Sequence, residues 1–219
     1  MEVEEILKTN SVANKFIAQL RDTAIQPDRM RFRRNIERLG EIMAYELSKE
    51  LEYETKEIET PLGISMVPNP KNELVICSIL RAGLQLHQGI LNYFDDAENS
   101  FISAYRHHPN NDEKFEILVE YLASPSLTGK TLILADPMLA TGRSFSNVLK
   151  ALEPMGQPEK IHLVSVIGSK EGVNYLQSQF PKNSKLWIAS IDDDLDENGY
   201  IVPGLGDAGD LCYGNKLQH

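Results

Sequence analysis

Thr131-Leu-Ile-Leu-Ala-Asp-Pro-Met-Leu-Ala-Thr-Gly-Arg-Ser144 is the stretch from which the fold can be read. Residues 131–135 form an apolar run of strand length, the pattern of a strand covered on both faces. Beyond Ser144, the residues Phe145, Val148, Leu149 and Leu152 recur at helical spacing, so the segment reads as strand, loop and helix. In open α/β sheets, ligands bind at the carboxyl ends of strands, and the N-terminus of the next helix offers unpaired N–H groups to an anion. Thr141 and Ser144 add hydroxyl donors, Gly142 permits close backbone approach, and Asp136 can accept from sugar hydroxyls or help hold a cation. The combination reads as a sugar-phosphate site. Its plainer alternative is an ordinary strand–helix connection in which Asp136 and Ser144 only turn and cap.

Working outward, short apolar runs at residues 74–80, 101–105, 161–167 and 186–191 alternate with helix-length stretches at 84–93, 144–152 and 170–179. This order predicts an α/β fold with a mainly parallel open sheet flanked by helices. Residues 115–122 are a further strand candidate, able to pair as a hairpin with the run before them. Upstream, residues 11–53 carry Ile36, Leu39, Ile42, Met43 and Leu47 at three- and four-residue steps, an amphipathic helical pattern. Thr60-Pro61-Leu62-Gly63 and Pro68-Asn69-Pro70 break that pattern, and a new unit begins near Glu73. Gly129-Lys130-Thr131 imitates the end of a nucleotide-binding P-loop, but position 124 is Ser124 and the strand follows instead of preceding, which rules that motif out.

Composition narrows the class. The 219 residues, 42% hydrophobic and 25% charged, suit a globular chain that buries a sizeable core. A formal charge of −10 argues against broad nucleic-acid binding, which needs clustered Lys and Arg. Cys77 and Cys212 lie far apart without metal-ligand spacing, so neither a disulfide framework nor a zinc site is expected. The acidic start, MEVEEILKTN, is unlike a signal peptide, and no apolar run nears the roughly 18 to 20 residues of a membrane span. A cytoplasmic protein with no membrane partner is the expectation.

Asp136-Pro-Met-Leu-Ala-Thr-Gly-Arg-Ser144 resembles the motif with which uracil phosphoribosyltransferases bind phosphoribosyl diphosphate (PRPP). Gly199-Tyr-Ile-Val-Pro-Gly-Leu-Gly-Asp-Ala-Gly-Asp210 is similar to that family's uracil-binding segment almost in full. Ile79-Leu-Arg-Ala-Gly-Leu84 resembles its pyrophosphate-side loop, and Tyr105-Arg106 the position of its second PRPP-contacting arginine. Phe32-Arg33, Tyr45-Glu46 and Thr60-Pro61 resemble the helical lead-in, so the likeness spans nearly the whole chain.

The resemblance implies the type I phosphoribosyltransferase fold in a single domain, 1–219, with a helical lead-in of about 1–70, an α/β core of about 71–192 and a hood segment of about 193–219. A smaller hood from the N- and C-terminal segments would cover the base. It implies transfer of the 5-phosphoribosyl group of PRPP to uracil, giving UMP and pyrophosphate with Mg2+ bound mainly through PRPP. PRPP contacts would fall at Arg81, Arg106, Asp136, Pro137, Met138, Leu139, Ala140, Thr141, Gly142, Arg143, Ser144 and Asp207. Uracil contacts would fall at Ile201, Gly206, Asp207 and Ala208, with Tyr200 packing on ribose or base, and the catalytic set would be Asp207, Arg81 and Arg106. A homodimer or higher homo-oligomer and a GTP effector, as in some members, are implied as well.

The chemistry suits these residues. Arginine forks match a diphosphate, and a glycine-rich turn lets the main chain meet the carbonyls and N–H of a flat pyrimidine. Arg143 stands where the family usually has a second glycine, adding either a phosphate-facing charge or a loss of backbone freedom. His107-His-Pro-Asn-Asn-Asp-Glu113 departs from the family's acidic stretch and reads as a mobile lid. The competing readings are a phosphoribosyltransferase for another base, a uracil- or UMP-responsive RNA-binding regulator of the same fold, and a catalytically silent homologue.

Overall fold

The computed structural model describes residues 1–107 and 116–217. Four residues at the amino end extend as β1 (Glu2–Glu5), which no apolar pattern announces because a neighbouring strand supplies its pairing. The helical region that follows divides into α1 (Ala13–Arg21) and α2 (Arg29–Ser48). The division has a local cause: the Asp28 carboxylate accepts the Arg31 N–H, satisfying a donor that a helix start leaves open. Phe32, Ile36, Leu39, Met43 and Leu47 form the buried face of α2 at the expected spacing.

Helix does not continue to Tyr53, and residues 53–70 are not part of a helical lead-in. They form a hairpin of β2 (Tyr53–Thr60) and β3 (Gly63–Pro70), turned at Pro61 and Leu62. Both strands are exposed along almost their whole length, so no core-facing alternation marks them in the sequence. Pro68 and Pro70 are tolerated because a two-stranded ribbon leaves each strand one unpaired edge.

The core follows as β4 (Leu74–Leu80), α3 (Leu84–Leu91), β5 (Glu98–His107), β6 (Glu116–Ala123), β7 (Thr131–Ala135), β8 (Met138–Leu139), α4 (Arg143–Leu152), β9 (Lys160–Ser169), α5 (Lys170–Gln179) and β10 (Ser184–Asp192). A short pair, β11 (Asp194–Leu195) and β12 (Ile201–Val202), precedes α6 (Ala208–Tyr213). The main sheet runs β1-β10-β9-β7-β4-β5-β6, with β8 beside β9. All its pairings are parallel except β5 with β6, the hairpin expected near residues 115–122. The α/β architecture predicted from the alternation of apolar runs and helix-length stretches is therefore the observed one.

All of β7 is buried, and its side chains alternate between two cores. Ile133 and Ala135 pack on the side of α1, α2 and α3, whereas Leu132 and Leu134 pack on the side of α4 and α5. β4 and β7 are adjacent, yet α3, which follows β4, covers the first face and α4, which follows β7, covers the second. The chain thus leaves the two neighbouring carboxyl ends in opposite directions and opens a crevice between them. Among the described residues, no helix is long and apolar enough to cross a membrane. Cys77 and Cys212 are both free and buried.

Candidate active site

The crevice at the ends of β4 and β7 is a cavity of about 450 Å³. From β4 come Ile79 and Leu80, then Arg81 and Ala82. The loop after β7 contributes Asp136, Met138, Ala140, Thr141, Gly142 and Ser144. The far wall is the C-terminal segment, with Tyr200, Ile201, Gly206, Asp207 and Ala208. Two stretches more than fifty residues apart in the chain therefore face one space.

Asp136 is buried at the carboxyl end of β7, and its Oδ1 accepts the Met138 N–H at 3.2 Å. Burial pushes its carboxyl up to about 7; the Met138 N–H opposes that rise, and the negative charge of Asp207 adds to it. Beyond it, Gly142 adopts a left-handed conformation, φ 75°, and caps α4. A Cβ there would lie 2.9 Å from Tyr175 Cδ1 and 3.0 Å from the Gly172 carbonyl oxygen, so packing and backbone both demand glycine. The loop is tied from β9: Ser169 Oγ donates to the Ala140 carbonyl at 2.6 Å and accepts the Gly172 N–H at 2.9 Å. The open N–H groups of the first turn of α4 follow directly, next to Thr141 and Ser144.

The C-terminal wall is shaped by two aspartates at turns. Asp196 Oδ1 accepts the N–H groups of Asn198 and Tyr200 at 2.9 and 2.8 Å, closing the β11–β12 turn. Asp207 Oδ1 accepts the Asp210 N–H at 2.9 Å and caps α6, while its Oδ2 lies 3.9 Å from Lys216 Nζ. Arg81, on the opposite side, donates through Nη2 to Asp210 Oδ1 at 2.8 Å and through Nη1 to the Gly214 carbonyl at 3.3 Å.

Most of the expected site residues thus line one cavity. Pro137, Leu139 and Arg143 do not belong to its described lining; Arg143 opens α4 with an exposed side chain. Arg106 stands in β5 opposite Ile117 of β6, beyond the Leu80–Ser103 pairing, and its side chain lies outside the described residues. The lid expected at residues 107–113 falls outside them too, apart from the backbone of His107. Sequence reasoning missed Asn198, Asp210 and Lys216, which also line the cavity. Asp210 closes the quoted glycine-rich stretch and was within reach; Lys216 carries no local signal, because only the turn after α6 returns it to the mouth.

The sequence model described as "Uracil phosphoribosyltransferase" matches residues 6–215. A protein of Porphyromonas gingivalis named uracil phosphoribosyltransferase is 51% identical over 217 residues, covering 99% of this chain and 100% of its own length. One of Thermococcus gammatolerans with the same name is 35% identical over 207 residues, covering 93% of this chain and 90% of its own. Among solved structures, the AQ2163 protein from Aquifex aeolicus is similar with a TM-score of 0.86 at 29% identity, covering 99% of this chain and 100% of that one. A hypoxanthine phosphoribosyltransferase from Staphylococcus aureus shares the fold with a TM-score of 0.51 at 13% identity, over 74% of this chain and 76% of its own.

Proposed function

The chain belongs to the uracil phosphoribosyltransferase family, and from that premise we propose that the crevice between β4 and β7 is where it joins uracil to PRPP. The enzyme transfers the 5-phosphoribosyl group to uracil, giving UMP and pyrophosphate. One observation carries the placement: the Asp136–Ser144 loop and the Gly199–Asp210 segment line the same cavity.

The 5-phosphate sits on the first-turn N–H groups of α4 with the Thr141 and Ser144 hydroxyls, a cradle of the kind that helix starts offer to anions. Arg81 and Arg106 hold the diphosphate, and Asp136 accepts from the ribose hydroxyls. Uracil lies against the main chain of Ile201, Gly206 and Ala208, where glycine-rich backbone supplies donors and acceptors without a charged side chain. As the bond to pyrophosphate breaks, positive charge grows on the ribose ring. Asp207 and the ionised form of Asp136, both lining the cavity, supply negative charge beside it, and fixed electrostatics and alignment carry the rate. With Asp207 Oδ1 committed to the Asp210 N–H, Oδ2, which faces the Lys216 ammonium at 3.9 Å, is the oxygen that turns to the sugar.

Magnesium fits this donor set as an ion carried in by its substrate. Asp136, Asp207 and Asp210 line the cavity and offer hard oxygens beside the diphosphate that would carry the ion. When bound, the ion neutralises the leaving diphosphate. The same reading takes the enzyme as cytoplasmic, at least dimeric, and open to activation by GTP; sedimentation and a GTP titration of the initial rate test the last two.

Pyrophosphate release from PRPP and magnesium, assayed with uracil, hypoxanthine, orotate and cytosine, tests the function. Turnover restricted to uracil is expected. Preference for another base would replace uracil in this reading, and no turnover with any would leave a silent homologue.

A further inference from the structure

The turn that joins the two proposed uracil contacts Ile201 and Gly206 is held from outside the segment. At its centre, Gly204 is left-handed, φ 59°, and a Cβ there would lie 2.0 Å from the Ile201 carbonyl oxygen. Both of its backbone hydrogen-bonding groups are taken by one ion pair. The Gly204 N–H donates to Asp192 Oδ2 at 2.9 Å, and Arg21 Nη1 donates to the Gly204 carbonyl at 3.0 Å. The pair itself is forked: Arg21 Nη1 reaches Asp192 Oδ2 and Nη2 reaches Oδ1, each at 2.7 Å, with Ser190 Oγ accepting from Nη2 at 3.3 Å. Gln26 Nε2 adds a donor to the next carbonyl, that of Leu205, at 2.8 Å.

Arg21 is the last residue of α1, and Asp192 the last of β10, where only 7% of it is exposed. Two-point arginine–carboxylate pairing fixes direction as well as distance, and burial shields the pair from solvent. Among the described residues, the side-chain hydrogen bonds of Arg21 and Asp192 reach the Ile201–Gly206 turn and strand β10, and none reaches the Asp136–Ser144 loop or Arg81. Displacing this pair would therefore move the base-facing backbone and leave the phosphate cradle in place.

We propose that Arg21 and Asp192 are positioning residues for the pyrimidine, setting the uracil-facing main chain through Gly204; this rests on the uracil reading above. Recognition of a small flat base by backbone groups tolerates displacement of only about 0.5 Å, so a looser turn appears as weaker uracil binding. A purely structural tie between α1 and the sheet would instead lower stability and leave the affinity of folded molecules unchanged.

The test uses full-length wild type, Asp192→Asn and Arg21→Lys, with uracil and PRPP varied separately and folding followed by circular dichroism. Asp192→Asn should raise KM for uracil by about tenfold while KM for PRPP stays within about twofold. Arg21→Lys keeps the charge but replaces the planar two-nitrogen fork with a single point donor that fixes no direction, so uracil KM should rise by roughly threefold. Unchanged uracil KM in the folded variants, equal rises in both KM values, or failure of both variants to fold would each overturn the proposal. A wild type that ignores uracil would instead sink the function on which the proposal stands.

Discussion

The Arg81 guanidinium lies 2.8 Å from the Asp210 carboxylate, joining the loop that leaves β4 to the helix that closes the C-terminal wall. That ion pair and the Gly214 carbonyl occupy two of the five N–H donors of an arginine, and the remainder can serve a diphosphate. A lysine has three donors on one nitrogen and lacks the fork that spans these separated acceptors. Arg81→Lys should lower kcat/KM for PRPP by about 10- to 100-fold with little change in KM for uracil, and initial-rate kinetics with each substrate varied will measure it.

Asp136 offers a test by pH. Its native pKa is raised to about 7 from an ordinary carboxylate value, so between about pH 4 and 7 the folded chain holds a proton that the unfolded chain has released. Stability from this group therefore falls as pH rises through that window, and the full penalty stands above pH 7. Asp136→Asn removes the charge and should gain Tm over wild type at pH 8 relative to pH 5, by about 5–10 °C. The same variant should lose UMP synthesis by on the order of a hundredfold. A Tm difference that is equal at both pH values would mean that burying the carboxylate costs nothing.

Gly142 joins backbone and packing demands at the start of α4. Gly142→Ala must place a Cβ against Tyr175 and the Gly172 carbonyl while keeping φ at 75°, and should cost about 2 kcal/mol in urea unfolding. Because the N–H cradle moves with the loop, KM for PRPP should rise and KM for uracil should hold. A stable variant with normal PRPP kinetics would remove this loop from the phosphate site.

Arg143 separates charge from position. It opens α4 outside the described cavity lining, so Arg143→Gly should leave KM for PRPP within about twofold. Glycine in the first turn should lower stability by about 0.5–1 kcal/mol, read by urea denaturation. A tenfold loss of PRPP affinity would give Arg143 a part in phosphate binding.

The strands and helices of the core were legible wherever local pattern and environment agree. The four successive apolar residues of β7, Leu132 to Ala135, fit a strand buried on both faces, and Phe145, Val148 and Leu152 fit one helical stripe. β1 and the β2–β3 hairpin were not legible, because Glu2–Glu5 is extended by the edge of β10 and the hairpin faces solvent on both sides. The glycine-rich wall and the loop after β7 were recognisable through their likeness to the family's motifs, whereas the residues of the loop alone also fit an ordinary strand–helix connection.

Sequence by itself determined the kind of the core elements and the local conformation of the loop after β7, because hydrophobic period, helix capping and glycine conformation act over a few neighbouring residues. Only the tertiary structure decided that Asp210 meets Arg81, that Lys216 returns to the cavity mouth, and that Arg21 and Asp192, 171 positions apart, grip Gly204 together. Such pairings follow from how the helices and the sheet pack. Hydrogen bonds between distant charges depend on that geometry, and it leaves no periodic trace along the chain.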